Sequence, residues 1–259
     1  MSAAPRVTVI MPTYDRAAYL GDAIGSVLAQ RFVDFELIVV DDGSTDATPA
    51  LLAAVRDPRL RVLQQAHRGI SAAMNAGLRA ARGAYVARLD SDDRWHDEML
   101  QAAVALLDTQ PDVDVVYAKG QAMTAAGVPL PHTVGAPPRF AGDALRSMVF
   151  DDFTCNVATV ARLTCVVRAG GYDEALMANE DWDLWLRVAR GARFAFLDRV
   201  LAHFCWHDDN LTGPASPVFR AVLASRTAPL DKLFAQADLP PQVAAMRAVA
   251  YENVALFRG

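Results

Sequence analysis

Short β-branched runs alternate with helical periodicities from Arg6 to Tyr117, and that alternation leaves the chain few folds to choose from. Arg6–Met11, Glu36–Val40, Leu60–Leu63, Ala84–Arg88 and Val113–Tyr117 read as strands. Between them Ala17–Gln30, Ala47–Val55, Ile70–Ala81 and His96–Asp108 read as helices. In the first helix Tyr19, Ala23, Ile24, Val27 and Leu28 share one face. Asp46 is the expected N-cap of the second. Apolar strands alternating with helices predict an α/β fold, with a mostly parallel, Rossmann-like central sheet flanked by helices.

The pattern changes after Tyr117. Residues 127–142 hold Pro129, Pro131, Pro137, Pro138 and three glycines, which predicts a loop or lid. Ala144–Phe150 reads as a short helix and Ala158–Val167 as a strand, closed by a Gly170-Gly171 turn. Glu180–Arg190 reads as a helix, and Ala192–Leu197 and Val200–Trp206 as two strands. From Pro217 onward two alanine-rich helices are expected, split at Pro240-Pro241. The expected organisation is a first half over residues 1–118, a second over 119–212 and a C-terminal helical extension over 213–259.

Composition narrows the function classes. Hydrophobic residues are 53% of the 259, enough for a large core. No Lys/Arg-rich block accompanies the net charge of −5, so the footprint of a nucleic-acid binder is missing. Cys155, Cys165 and Cys205 are far apart and form no C-x-x-C pair, which argues against a zinc site or a disulfide framework. The first residues do not read as a signal peptide, and no apolar run approaches the ~18 residues of a membrane span. A cytoplasmic location is expected, with peripheral contact at the inner membrane face left open.

Polar clusters follow four strands in turn. Pro12-Thr13-Tyr14-Asp15 follows the first, Asp41-Asp42-Gly43-Ser44 the second, His67-Arg68-Gly69 the third and Asp90-Ser91-Asp92-Asp93 the fourth. In parallel α/β sheets ligands sit outside the carboxyl ends of the strands. The last cluster puts three carboxylates into four positions. It is either a solvated acidic loop capping the next helix, or a site whose mutual repulsion a divalent cation relieves.

These residues, in this order, resemble the family 2 inverting glycosyltransferases of the GT-A fold. The match runs through Thr8–Tyr14, Val39–Asp46, Arg68–Ala72, Asn75-Ala76-Gly77 and Leu89–Asp93. It continues through Gly170–Glu174, Glu180–Arg187 and His207, covering about residues 6–212. The chain has Asp15 and His67 where the family usually has Asn, and Met74 and Cys205 where it often has Arg. The first two lie in the expected donor site and leave base and sugar preference open.

The resemblance implies a donor site for a nucleoside-diphosphate sugar, a UDP-sugar in this reading, in the first half. Pro12, Thr13, Tyr14, Asp15, Asp42, Gly43, Arg68, Asn75, Asp90 and Ser91 are its expected residues. Tyr14 would pack on or beside the base, Asp42 would bond base or ribose, and Asp41 would brace the loop. Arg68 would bond diphosphate or sugar, although a surface role fits an arginine there equally. Asp90 would contact ribose or sugar. Asp92 would hold Mn²⁺ or Mg²⁺ with His207 as the second protein ligand, and Asp93 would brace the site or cap the helix at His96. Asp181 would be the general base and Glu180 would orient it or the acceptor hydroxyl. The acceptor has no signature. Rival readings are weaker: a nucleotidyltransferase should carry a Gly-rich phosphate loop and a lysine after strand one, yet the first lysine is Lys119. No G-x-G-x-x-G follows a strand, as a Rossmann oxidoreductase requires. A non-catalytic sugar-nucleotide or glycan-binding module would share the motifs but turn over no donor.

Overall fold

The computed structural model describes residues 4–207 and 219–256. The end of the resemblance at 212 and the start of the expected extension at 213 lie outside the described residues. The first part of the chain is β1 (Val7–Thr13), α1 (Ala17–Leu28), β2 (Phe35–Asp41), α2 (Thr48–Ala54), β3 (Leu60–Gln64), α3 (Ile70–Ala80), β4 (Tyr85–Arg88), β5 (Arg94–Trp95) and α4 (Met99–Thr109). The second is β6 (Val115–Thr124), β7 (Pro129–Val134), α5 (Ala144–Phe150), β8 (Thr159–Arg162), α6 (Leu163–Arg168), α7 (Glu180–Val188) and β9 (Phe194–Trp206). Helices α8 (Phe219–Ala224), α9 (Ala228–Phe234), α10 (Pro241–Ala244) and α11 (Arg247–Leu256) follow.

One sheet runs through both halves in the order β3-β2-β1-β4-β8-β6-β9-β5, with β7 paired to β6. Strands β1 to β4 are parallel to their neighbours β1–β2, β2–β3 and β1–β4, as the alternation predicts. Beyond β4 the sheet is mixed: β8 is antiparallel to β4 and β6, while β9 is parallel to β6. Strands β1 and β2 are buried along their whole length because helices cover both faces. Val7, Val9 and Met11 meet α1 and α4 on one face, and Ile10 and Ile38 meet α3 on the other. Gly77 permits the second contact, since a Cβ there would lie 2.4 Å from Ile10 Cγ2.

Four local expectations change. Residues 127–142 are not all loop, because Pro129–Val134 forms β7 along the late part of β6. Its prolines are tolerated because β7 pairs only with β6 among the described residues, and an edge strand needs no outward N–H. The expected strand Ala158–Val167 stops at Arg162. There Nε and Nη2 of Arg162 donate to Val113 O and Leu107 O, both at 2.9 Å, and the chain turns into α6. The β-branched Val166 and Val167 gave the strand pattern, but Val166 packs into a core as part of a helix. The two expected strands after Ala192 are one, β9, whose register with β6 shifts around Lys119. Asp198-Arg199 reads as a break in sequence, whereas in the structure Asp198 ion-pairs with Lys119. The helix expected from His96 begins at Met99, because Arg94–Trp95 pairs with β9 first.

The C-terminal helices are not a separate body. Leu230, Leu233, Val243, Ala250 and Val254 share a core cluster with Met148 of α5 and Trp182 and Trp185 of α7. No described helix is long and apolar enough to cross a membrane.

Candidate active site

The strand ends of β1, β2 and β4 and the loop after β3 converge as the spacing predicts, and most of their polar groups are engaged with one another. Asp42 is buried and accepts from Gln65 Nε2 at 2.6 Å, Gly69 N at 2.7 Å and Arg68 N at 3.0 Å. His67 Nδ1 stands 2.9 Å from Oδ2, the oxygen that accepts from Gly69 N. Asp42 therefore organises the 65–69 loop, while Asp41 accepts from Ser44 N at 2.9 Å. Gly43 has φ of +85°, and a Cβ there would lie 2.9 Å from His67 N, so only glycine lets the two loops meet. Asp15, at φ +49°, accepts from Thr45 N and Asp46 N and ties the β1 loop to the β2 loop.

Above this base lies an aromatic pair. Tyr14, 40% exposed, stacks on His67 with ring centroids 4.0 Å apart. Next to Tyr14, Thr13 is buried and its Oγ1 has no partner among the described residues, an orphaned group of the kind a ligand satisfies. Pro12 pairs with Val40 inside the sheet and offers backbone alone. Arg68 is half exposed and donates to Glu174 Oε2 at 2.7 Å. Asn75 is occupied: it donates to Tyr172 O and accepts from Tyr172 N, both at 2.9 Å. It holds the 172–174 turn against α3.

The residues of the acidic loop have different partners. Arg88, at the buried end of β4, grips Asp90 with Nε at 2.6 Å and Nη2 at 3.1 Å. Asp93 accepts from Cys205 N at 2.8 Å and so braces β9 instead of capping a helix. Its carboxyl is pushed well up by desolvation and by Asp92 and Asp90. Ser91 is buried between them. Asp92 Oδ2 meets His207 Nε2 at 3.0 Å, and Arg16 Nε is 3.7 Å away. The His207 ring stacks on Tyr19 at 4.4 Å. Burial, then the Asp90 charge, raises the Asp92 carboxyl, with His207 and Arg16 opposing.

Those two side chains fit a divalent cation as a partial set. One is a hard oxygen ligand, the other a borderline nitrogen, and they come from the loop after β4 and the end of β9 to one point. No group of three or more such ligands exists among the described residues, so other ligands would have to come from a substrate or water.

The N-terminus of α7 carries Glu180 and Asp181. Glu180 is buried and accepts from Arg88 Nη1 at 3.0 Å. Burial and then Asp181 raise its carboxyl, and Arg88 pulls it back. Asp181 is partly exposed and accepts from Trp182 N at 2.8 Å. Asp183 is committed elsewhere, to Arg187 at 2.7 Å and Lys232 at 2.6 Å. The indole N–H groups of Trp182 and Trp185 donate to Met148 O and Asn156 Oδ1 and hold the helix in the core.

Two residues of the site went unread in the sequence. Asp152, after α5, has its carboxyl pushed up to about 7 by desolvation and then by the nearby Asp181. No motif marks it. Arg88 had a legible signal: a charge ending an apolar strand must find a buried partner.

A sequence model of the family described as glycosyl transferase family 2 matches residues 8–153. The succinoglycan biosynthesis protein ExoO of Rhizobium meliloti is 41% identical over 126 residues, 46% of this chain and 36% of that protein. The chondroitin synthase of Escherichia coli is 25% identical over 208 residues, 80% of this chain and 30% of its own length. The chain thus spans about a third of these curated relatives. Solved structures share the fold: the crystal structure of S. aureus TarS 1–349 with UDP-GlcNAc superposes with a TM-score of 0.71 at 23% identity, over 97% of this chain and 71% of that one. The mannosyltransferase PcManGT of Pyrobaculum calidifontis, with GDP-Man and Mn²⁺, gives 0.67 at 22% identity over 98% and 74%. The family match covers more than half of the chain, and the chain, which has the GT-A fold, belongs to glycosyl transferase family 2.

Proposed function

We propose that the chain transfers a sugar from a nucleoside-diphosphate sugar, a UDP-sugar, to an acceptor hydroxyl with inversion at the anomeric carbon. The observation that carries this is the Asp92–His207 contact at 3.0 Å beside Arg16, which gathers ligand atoms and positive charge where a diphosphate can reach them. The nucleoside end is read at Tyr14, His67 and the orphaned Thr13 hydroxyl. UDP-GlcNAc and GDP-Man in structures of the same fold support the donor class.

In this reading Asp181 takes the proton of the acceptor hydroxyl, whose oxygen forms the new bond to the anomeric carbon. The bond from that carbon to the diphosphate breaks, and the nucleoside diphosphate leaves with the electron pair. Mn²⁺ or Mg²⁺ held by Asp92 and His207 would neutralise charge on that leaving group. Arg16 adds to the same field. Glu180, fixed by Arg88, holds the first turn of α7 and with it Asp181. Positioning two substrates on one sheet edge supplies much of the acceleration. The test is calorimetric titration with UDP, GDP and dTDP, each with Mn²⁺ and with EDTA. Tightest binding is expected for UDP with Mn²⁺. Equal affinities with and without the metal would remove the metal site, and absence of binding by any nucleotide would remove the donor class.

A further inference from the structure

Arg88 is 6% exposed, and it is the one described cation seen bonded both to the acidic loop and to α7. Its guanidinium carries five N–H donors in a fixed fork. Two of its nitrogens hold the two oxygens of Asp90, and the third holds Glu180 Oε1 at 3.0 Å. The centroid of the Tyr172 ring lies 6.0 Å from Cζ. Asp90 belongs to the loop that leads to Asp92, and Glu180 precedes Asp181.

We propose that Arg88 is a positioning residue shared by the two sides of the site, joining Asp90 and Glu180 so that the acidic loop and the N-terminus of α7 are held as one unit. This rests on the proposed function only for the reaction it serves. Arg88 reaches no reacting atom; it acts through Glu180 on Asp181. A lysine cannot replace it, because a point charge cannot span both carboxylates in the plane of a fork.

The charge balance gives the link its consequence. Glu180 and Asp181 are adjacent carboxylates, and three groups from other elements face them. Arg88 comes from β4, with Asp90 on its far side, Tyr172 from the turn after α6 and Asp152 from the loop after α5. On α7 itself Asp183 is neutralised by Arg187 and Lys232. Among the described residues Arg88 is the cation bonded to this pair, and Arg226, after α8, acts on the neighbouring Asp151. Without Arg88, Glu180 must take up a proton at a higher pH, and its hold on the first turn of α7 is lost.

The test reads those carboxyls directly and needs no substrate. The full chain, ¹³C-labelled at Asp Cγ and Glu Cδ, is titrated as wild type and as Arg88→Gln, with Glu180→Gln and Asp181→Asn to assign signals. Loss of an opposite charge at this range should raise the midpoint of Glu180 by about 1–3 pH units. A Glu180 midpoint within about 0.3 of wild type would overturn the proposal. Should Arg88→Gln not fold, the wild type decides: the Arg88 Nε and Nη resonances should move with the Glu180 midpoint, and unresponsive signals would overturn it. Failure of the wild type to bind UDP would sink the donor reading and leave these titrations standing.

Discussion

His207 Nε2 lies 3.0 Å from Asp92 Oδ2, although 115 residues of chain separate them. Asp92 follows β4 and His207 follows β9, so the contact exists only because β8 and β6 bring those two strands into one sheet. A pair built this way should bind a cation more tightly when a diphosphate supplies the missing oxygens. UDP affinity should rise with Mn²⁺, and Asp92→Ala and His207→Ala should each abolish most of that rise. Each loses a charge-assisted contact worth about 1.5–3 kcal/mol, or ten- to a hundredfold in affinity. Calorimetry with and without EDTA checks it.

Asp181→Asn keeps the shape of the side chain but cannot accept a proton. Donor binding should stay near wild type while the transfer rate falls by ~10²–10⁴. The contrast with Asp92→Ala, which loses donor binding too, separates base from metal ligand. Near-normal transfer by a folded Asp181→Asn would reassign the base, with Asp152 the next residue to replace.

Asp42→Ala should do more than weaken nucleotide binding. The carboxylate collects backbone and side-chain donors from Gln65 to Gly69, and truncation leaves those groups unpaired in a buried place. Melting temperature and UDP affinity should fall together, whatever sugar is attached. A variant with wild-type stability would show that the loop holds its shape without Asp42.

The Asp152 carboxyl sits at about 7 in the folded chain, raised by desolvation and then by Asp181. A raised value favours the protonated form on folding. Its contribution to stability is full below the ordinary carboxylate range and is lost as pH climbs through about 7. Asp152→Asn cannot ionise and should keep that contribution. Its melting temperature relative to wild type should therefore improve steadily from about pH 4 to about pH 8. Parallel curves for the two proteins would contradict the assignment.

Local pattern determined the parallel half of the sheet, the order of its strands and helices and the edge on which its motifs gather. Strand and helix periodicities are properties of neighbouring residues, and right-handed β-α-β connections leave little freedom in how they assemble. The same locality explains the misreadings. Val166 and Val167 look like strand until the packing of α6 is known. Asp198-Arg199 looks like a break until Lys119 is found opposite. Pro129–Val134 looks like a loop until β6 provides a partner.

The family, the acidic loop and the paired carboxylates of α7 were therefore present in the sequence as ordered motifs, each a few residues long. Tertiary structure decided what each of those residues bonds to. It spent Asn75 and Asp15 on holding turns together, gave Asp42 the 65–69 loop and set Asp93 against β9. It joined Asp92 to His207, and Asp90 to Glu180 through Arg88. Buried polar groups must find partners, and those partners come from strands far apart in the chain, where no local pattern can announce them.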